Sequence, residues 1–568
     1  MKNFRPISNL LGIAAWFWVL FMGTSCGDPN VKQAQDSLSE FIAEYESKII
    51  PVMKELNTTK FDAAVSGSEE DYTKAAKLEI TLAKIYSNKE SFNKLKSLKE
   101  SGFVKDSILS RQLNVLYNEF LPYQLNEDTL VQIIMLENQI AKKMANFRAN
   151  VDDKSLTNSE IETILKSSTD QNLLRKVWEA SKKVGEEINT DLIKLIKMRN
   201  GAAQQLGYTN YWEMSLLVSD QDPDDIQQLY DELDILTRGP YSQLKSEMDE
   251  YLAKYHNIAK ENLLPWHYQD LFYQNAPRIY DYNFDSIYKN KDILAMANQF
   301  YTGIGLPIEN VLDKSDLFEK PGKSQVGFTT DIDRQGDVRI LLNVQNNYQS
   351  MKKLLYECGF GAYYSNISKE IPYTLRTPSH FFTADAVATL FSRFAASPAW
   401  MKETLGISQE EADLIKATGN KYIRLDKFVF SRWAQVVYRF ERGLYENPDQ
   451  DLNALWWELV KRYQFLNMPA MRNAPDWAAK SHLATAPCSY HNYMLGELFA
   501  SQLEMYIAAN VTKEQNCETT CVNNPEVGKF LKERVFAPGK TLNWNELIEY
   551  ATKEELTADY FTRQYIRL

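Results

Sequence analysis

Apolar residues in this chain recur three and four positions apart over long stretches. That spacing commits most of it to helix, because only a period near 3.6 residues gathers such positions on one face. Leu38, Phe41, Ile42, Tyr45 and Ile49 form one stripe. Leu192, Leu195, Ile196, Met198 and Arg199 form a second, running into Gly201 and Gly207 as its stop. Alternation of the strand kind is confined to 326–332 and 338–344, with Asp333-Arg334-Gln335-Gly336-Asp337 as the turn between them. The expectation is a mainly α protein with one β-hairpin. No repeat, Gly/Ser linker or low-complexity segment divides the chain, and its 568 residues suffice for two lobes within one fold.

With 44% hydrophobic residues the chain can bury a large core and lacks the polar make-up of a disordered protein. A formal net charge of -11 with no cluster of Lys and Arg argues against a nucleic-acid partner, whose phosphates demand such clusters.

Residues 1–25 read as an export signal: Lys2 and Arg5, an apolar run from Leu10 to Met22, then Gly23-Thr24-Ser25 before Cys26. The run is short of the ~20 apolar residues that span a bilayer. Cys26 then becomes the first mature residue, carrying a lipid through its thiol and anchoring residues 26–568 at a bacterial cell envelope. Secretion with a free cysteine, or an uncleaved helix, are the alternatives. Among the remaining cysteines, Cys517 and Cys521 have the spacing of a small disulfide loop and lack the neighbouring ligands of a metal site.

Downstream of the hairpin turn, Met351 to Phe360 reads as helix and contains Leu354-Leu355-Tyr356-Glu357-Cys358-Gly359-Phe360. Together with Asp331 to Arg339, this stretch resembles bacterial members of the angiotensin-converting-enzyme family of zinc peptidyl-dipeptidases. In that family the helix carries H-E-x-x-H: histidines at i and i+4 share a face and grip zinc, and the Glu activates the metal-bound water. Here only Glu357 is kept. Tyr356 and Phe360 stand at the histidine positions, and Asp385 stands where the resemblance puts a third, glutamate ligand. Phenylalanine has no lone pair, and tyrosine is a poor ligand until it loses a proton of pKa about 10. Tyr356, Cys358 and Phe360 read most economically as core filling, Cys358 pointing to another side of the helix, and His380 as a cap or loop residue.

A second block, Lys480-Ser481-His482 through Tyr490-His491-Asn492-Tyr493, keeps more of the family pattern. The resemblance implies that Lys480 and Tyr490 hold a peptide's free carboxylate and that His482 and Tyr493 stabilise an oxyanion. The bland alternative is a surface lysine and half-buried helix tyrosines. Asn492 stands where animal relatives carry a chloride-binding arginine. Weaker matches at 264–270, 199–208 and 496–503 extend the likeness over most of the chain. It implies a two-lobed helical fold of the zincin type around a deep cleft, with the small hairpin at its edge.

The expectation is a catalytically inactive, zinc-free relative of a peptidyl-dipeptidase, with no cofactor although the family uses zinc. A peptide ligand, or a protein partner at the envelope, is expected. The alternatives are an active zinc peptidase releasing C-terminal dipeptides through a non-standard site at Glu357, Asp385 and His380, and a scaffold whose cleft is filled by aromatics.

Overall fold

The computed structural model describes residues 28–280, 283–514 and 521–567, so the expected export segment, Cys26 and Cys517 lie outside the described residues. Cys521 is disulfide-bonded.

Helix α1 (Pro29–Ser66) starts where the Asp28 side chain accepts the Asn30 amide at 2.9 Å, with proline preset at the first position. It stops at Gly67, whose φ of 71° suits glycine. The stripe from Leu38 to Ile49 is buried, as its period requires. It packs against Phe92 and Leu95 of α3 (Lys89–Ser101) and Leu113, Leu116 and Phe120 of α4 (Ser107–Phe120), while α2 (Glu69–Tyr86) buries only Ala75 fully.

Next come α5 (Glu127–Asn146) and a hairpin absent from the sequence reading, β1 (Ala149–Val151) paired antiparallel with β2 (Lys154–Leu156). The one-hairpin expectation is therefore corrected to two. The turn residues Asp152 and Asp153 have φ of 46° and 64°, the double positive φ of a tight hairpin. Asp-Asp reaches that geometry without the Asn-Gly signature that would announce it. The long helices α6 (Gln171–Gln205) and α7 (Pro223–His256) follow. Gly201 stays inside α6, so only Gly207, with φ of 93°, acts as the expected stop.

The predicted hairpin forms as β3 (Phe328–Asp331) and β4 (Val338–Leu341), in the register Phe328 to Leu341 and Asp331 to Val338. Carboxylates at the end of β3 and in the turn hold backbone amides: Asp331 accepts from Arg334 at 2.8 Å and Asp333 from Gln335 at 2.9 Å. The large core then gathers around α8 (Tyr348–Ser365), α9 (Phe381–Arg393), α10 (Gln409–Glu446) and α11 (His491–Tyr506). Glycines bring these helices together. A Cβ on Gly359 would lie 2.7 Å from the Ala388 Cα, and one on Gly496 would run into the Asp385 carboxylate. A half-buried ion cluster ties α9, α10 and α11: Arg393 bridges Glu497 at 2.7 Å and Glu504 at 3.1 Å, and Lys427 also pairs with Glu497. Burial would raise the Glu497 carboxyl, but Lys427 and Arg393 overrule it and hold it down at about 2.

The fold is mainly α-helical with two small hairpins, as the sequence predicts in class.

Candidate functional site

Asn347 caps α8, its side-chain oxygen accepting the Ser350 amide at 2.8 Å, and from there the helix presents Tyr356 and Phe360 on one face. Their rings meet edge to face with centroids 5.3 Å apart. Phe360 also stacks on Phe381 at 5.9 Å, and Phe381 meets Tyr493 edge-on at 6.5 Å. Tyr493 touches Tyr490 at 5.4 Å and Tyr490 touches His482 at 4.9 Å. A continuous row of rings thus runs from Tyr356 and Phe360 on α8 to the C-terminal block, bringing the two stretches together.

The Tyr356 hydroxyl donates a hydrogen bond to the Asp385 carboxylate. Burial pushes Asp385 up to about 7, and the Tyr356 bond opposes that rise. Burial, together with the Asp385 charge, drives Tyr356 far above the ordinary phenol value. The phenol therefore keeps its proton. Glu357 is buried and engaged at both oxygens: Lys353 lies 2.7 Å from Oε1, and the Thr329 hydroxyl of β3 donates to Oε2 at 2.6 Å.

A catalytic zinc site needs about three donor side chains and an open position. Phe360 supplies no donor, Tyr356 is a protonated phenol, and Asp385 is committed to that phenol. These residues do not fit zinc. Among the described residues no group of three His, Cys, Asp or Glu side chains converges elsewhere to replace them. His380 caps α9, its Nδ1 accepting the Phe382 amide at 3.2 Å, and the buried Cys358 thiol is pushed up by burial within the core.

Lys480 follows the helical turn Asp476–Ala479 and is only 9% exposed, which removes the surface-lysine reading. Its ammonium donates to the Gln274 side-chain oxygen at 2.8 Å and lies 5.0 Å from the Tyr490 ring centre. Burial pulls Lys480 down to about 8, with Asp270 opposing. Tyr490, raised by burial to about 12, accepts the Trp433 indole N–H at 2.8 Å, which leaves its own proton free to donate. Burial and then the Lys480 charge bring His482 down to about 4, so its imidazole is neutral, and its Nδ1 is buried without a hydrogen-bond partner. Tyr493 is 37% exposed, its phenol raised by burial and by Asp385. Asn492 is occupied, accepting from the Gln221 amide at 2.7 Å.

Lys480 and Gln274 line a cavity of about 650 Å³ together with Lys182, Asp270 and Phe272. Gln274 escaped the sequence reading. It sits in an irregular stretch with no motif, and its only signal was proximity to the 264–270 match. The Lys480 ammonium and the Gln274 amide on this cavity, with the Tyr490 ring beside Lys480, can hold a carboxylate through charge-assisted hydrogen bonds.

Comparison with known proteins follows the same line. A family model described as angiotensin-converting enzyme matches residues 32–566. Curated relatives include the angiotensin-converting enzymes of Mesocricetus auratus, 21% identical over 427 residues, and Mus musculus, 22% identical over 408 residues. These alignments cover 69% and 65% of this chain and 32% and 30% of those proteins, so the chain spans about a third of the length of the relatives it matches. The Sus scrofa enzyme is 23% identical over 338 residues, covering 54% of this chain and 25% of its own. With the family model covering nearly the whole described length, the chain belongs to the angiotensin-converting-enzyme family of peptidases.

Proposed function

We propose that this chain is a peptidase-family protein that binds peptide C-termini at Lys480, Gln274 and Tyr490 and does not hydrolyse them through zinc. The hydrogen bond from Tyr356 to Asp385 carries this reading. It joins two positions that the family uses for metal ligands into a closed phenol–carboxylate pair, beside a Phe360 that can ligate nothing. Glu357, tied to Lys353 and Thr329, has no metal-bound water to activate.

The carboxylate end of the site supports binding without cleavage. A buried ammonium held by a neutral amide makes no direct ion pair, and an incoming carboxylate supplies one. The aromatics fill the metal positions but leave the cavity at Lys480 open, which favours a binding module over a filled scaffold. For location, we propose a lipid on Cys26 at a bacterial envelope and no nucleic-acid partner. Among the described residues no helix is long and apolar enough to cross a membrane.

The test is metal analysis of the purified protein after zinc loading, paired with dipeptide release from an unblocked peptide and calorimetry with free-acid and amidated peptides. The expected result is no stoichiometric zinc, no release above background, and binding of the free acid alone that Lys480→Ala removes. Retained zinc with chelator-sensitive release abolished by Glu357→Gln would overturn the reading.

A further inference from the structure

Lys182 is a buried amine in no direct ion pair, pulled down to about 7 by burial with Asp476 and Asp270 opposing. It sits on α6, is 3% exposed, and lines the same cavity as Lys480. Among the described residues it makes no hydrogen bond or ion pair. Its charge rests on the Phe272 ring, 3.2 Å from the centroid, and faces Trp178 at 5.2 Å.

The nearby carboxylates, Asp270 and Asp476, act on Lys182 only at a distance and take their hydrogen bonds elsewhere. Asp270 accepts the backbone amides of Phe272 and Gln274 at 2.9 and 3.1 Å, and its other oxygen takes the Asn275 amide at 2.9 Å. Asp476 is held bidentately by Arg472 at 2.7 and 2.5 Å. An unpaired buried charge costs stability that a methionine of similar volume would not. Such a group persists where a ligand completes it.

The backbone sets Lys182 beside Lys480. Gly185, three residues along α6, lies so close to the Pro475 carbonyl that a Cβ would run into it, so α6 packs directly on the turn that leads to Lys480. Both ammoniums share the Phe272 ring, Lys182 at 3.2 Å and Lys480 at 5.6 Å from its centre. Their separation is bounded by those two distances together. The two carboxylates of one acidic residue, each adding a hydrogen-bond length, can bridge that span.

We propose that the cavity selects peptides whose C-terminal residue is itself acidic, the α-carboxylate on Lys480 and the side-chain carboxylate on Lys182. This rests on the C-terminus reading above and adds a second anion position to it.

The experiment is calorimetry with short peptides identical except for a terminal Glu or Gln, on the native protein and on Lys182→Met and Lys182→Arg. The Glu peptide is expected to bind about tenfold tighter to the native protein. Lys182→Met should erase that preference while still binding the Gln peptide, and Lys182→Arg should keep a preference for Glu. The Met variant should melt at or above the native temperature, since it removes an unpaired charge. Equal affinities for the two peptides in the native protein, or a preference surviving in Lys182→Met, would overturn this inference and leave the Lys480 reading standing. An amidated peptide that binds as well as the free acid would sink the Lys480 reading and this one with it.

Discussion

Asp385 is a carboxyl with its solvation removed and one phenol in exchange. Its folded value of about 7 stands above the ordinary aspartate value of about 3.8, so the native state holds this proton more tightly than the unfolded chain does. The contribution is fully present below pH 4 and is lost as pH rises through 7, leaving a cost on the order of 4 kcal/mol at alkaline pH. Asparagine keeps an oxygen for the Tyr356 hydroxyl and does not titrate. Thermal melts should therefore show the native protein losing more stability between pH 5 and pH 8 than Asp385→Asn loses, with the variant the more stable of the two at pH 8. Parallel pH profiles would mean that the carboxyl is solvated. Tyr356, Phe360 and Asp385 stood out in the sequence because the family resemblance supplied a spaced pattern to read them against. Lys182 and Gln274 did not, because no local pattern distinguishes a lysine that long-range packing buries from one left in water.

At the scale of elements, α8 and α9 form the pair that presents the site, and their closeness depends on Gly359. Its Cβ position is 2.7 Å from the Ala388 Cα and 3.2 Å from the Ala388 nitrogen, backbone atoms that cannot swing aside. Gly359→Ala should force the helices apart and cost about 1–3 kcal/mol or more, read as a lowered urea midpoint. The shift should also loosen the Tyr356 to Asp385 bond. An unchanged midpoint would show that the helix pair has slack. Element type was largely readable here: the stripe Leu38 to Ile49, the helix from Met351 and the hairpin around Gly336 all carry the periods of their structures. The β1–β2 hairpin was not readable, since three-residue strands are too short to show alternation and Asp152-Asp153 is an uncommon way to turn.

Across the whole molecule, burial is uneven in a way that should show in its opening. From Phe382 to Ser392 every residue of α9 is buried, and α8, α10 and α11 share that core. The α1–α4 layer has a separate apolar cluster built on Leu38, Phe41, Leu95, Leu116 and Phe120. It meets the rest partly through polar contacts: Gln112 donates to Thr374 at 2.8 Å, and Arg111 pairs with Asp220 at 2.7 Å. Within it, α2 fully buries one residue and α3 two. Local opening free energy follows buried apolar contact, and helices with so little of it open without unfolding the core. Native-state hydrogen exchange should thus find the amides of α2 and α3 exchanging through openings well below the global free energy, while those of α8 and α9 exchange only with global unfolding. Uniform protection across all four helices would show that the two apolar clusters unfold as one unit. In that case the stability changes predicted for Asp385 and Gly359 would spread to the α1–α4 layer, and melting monitored at Tyr86 in that layer would track the core.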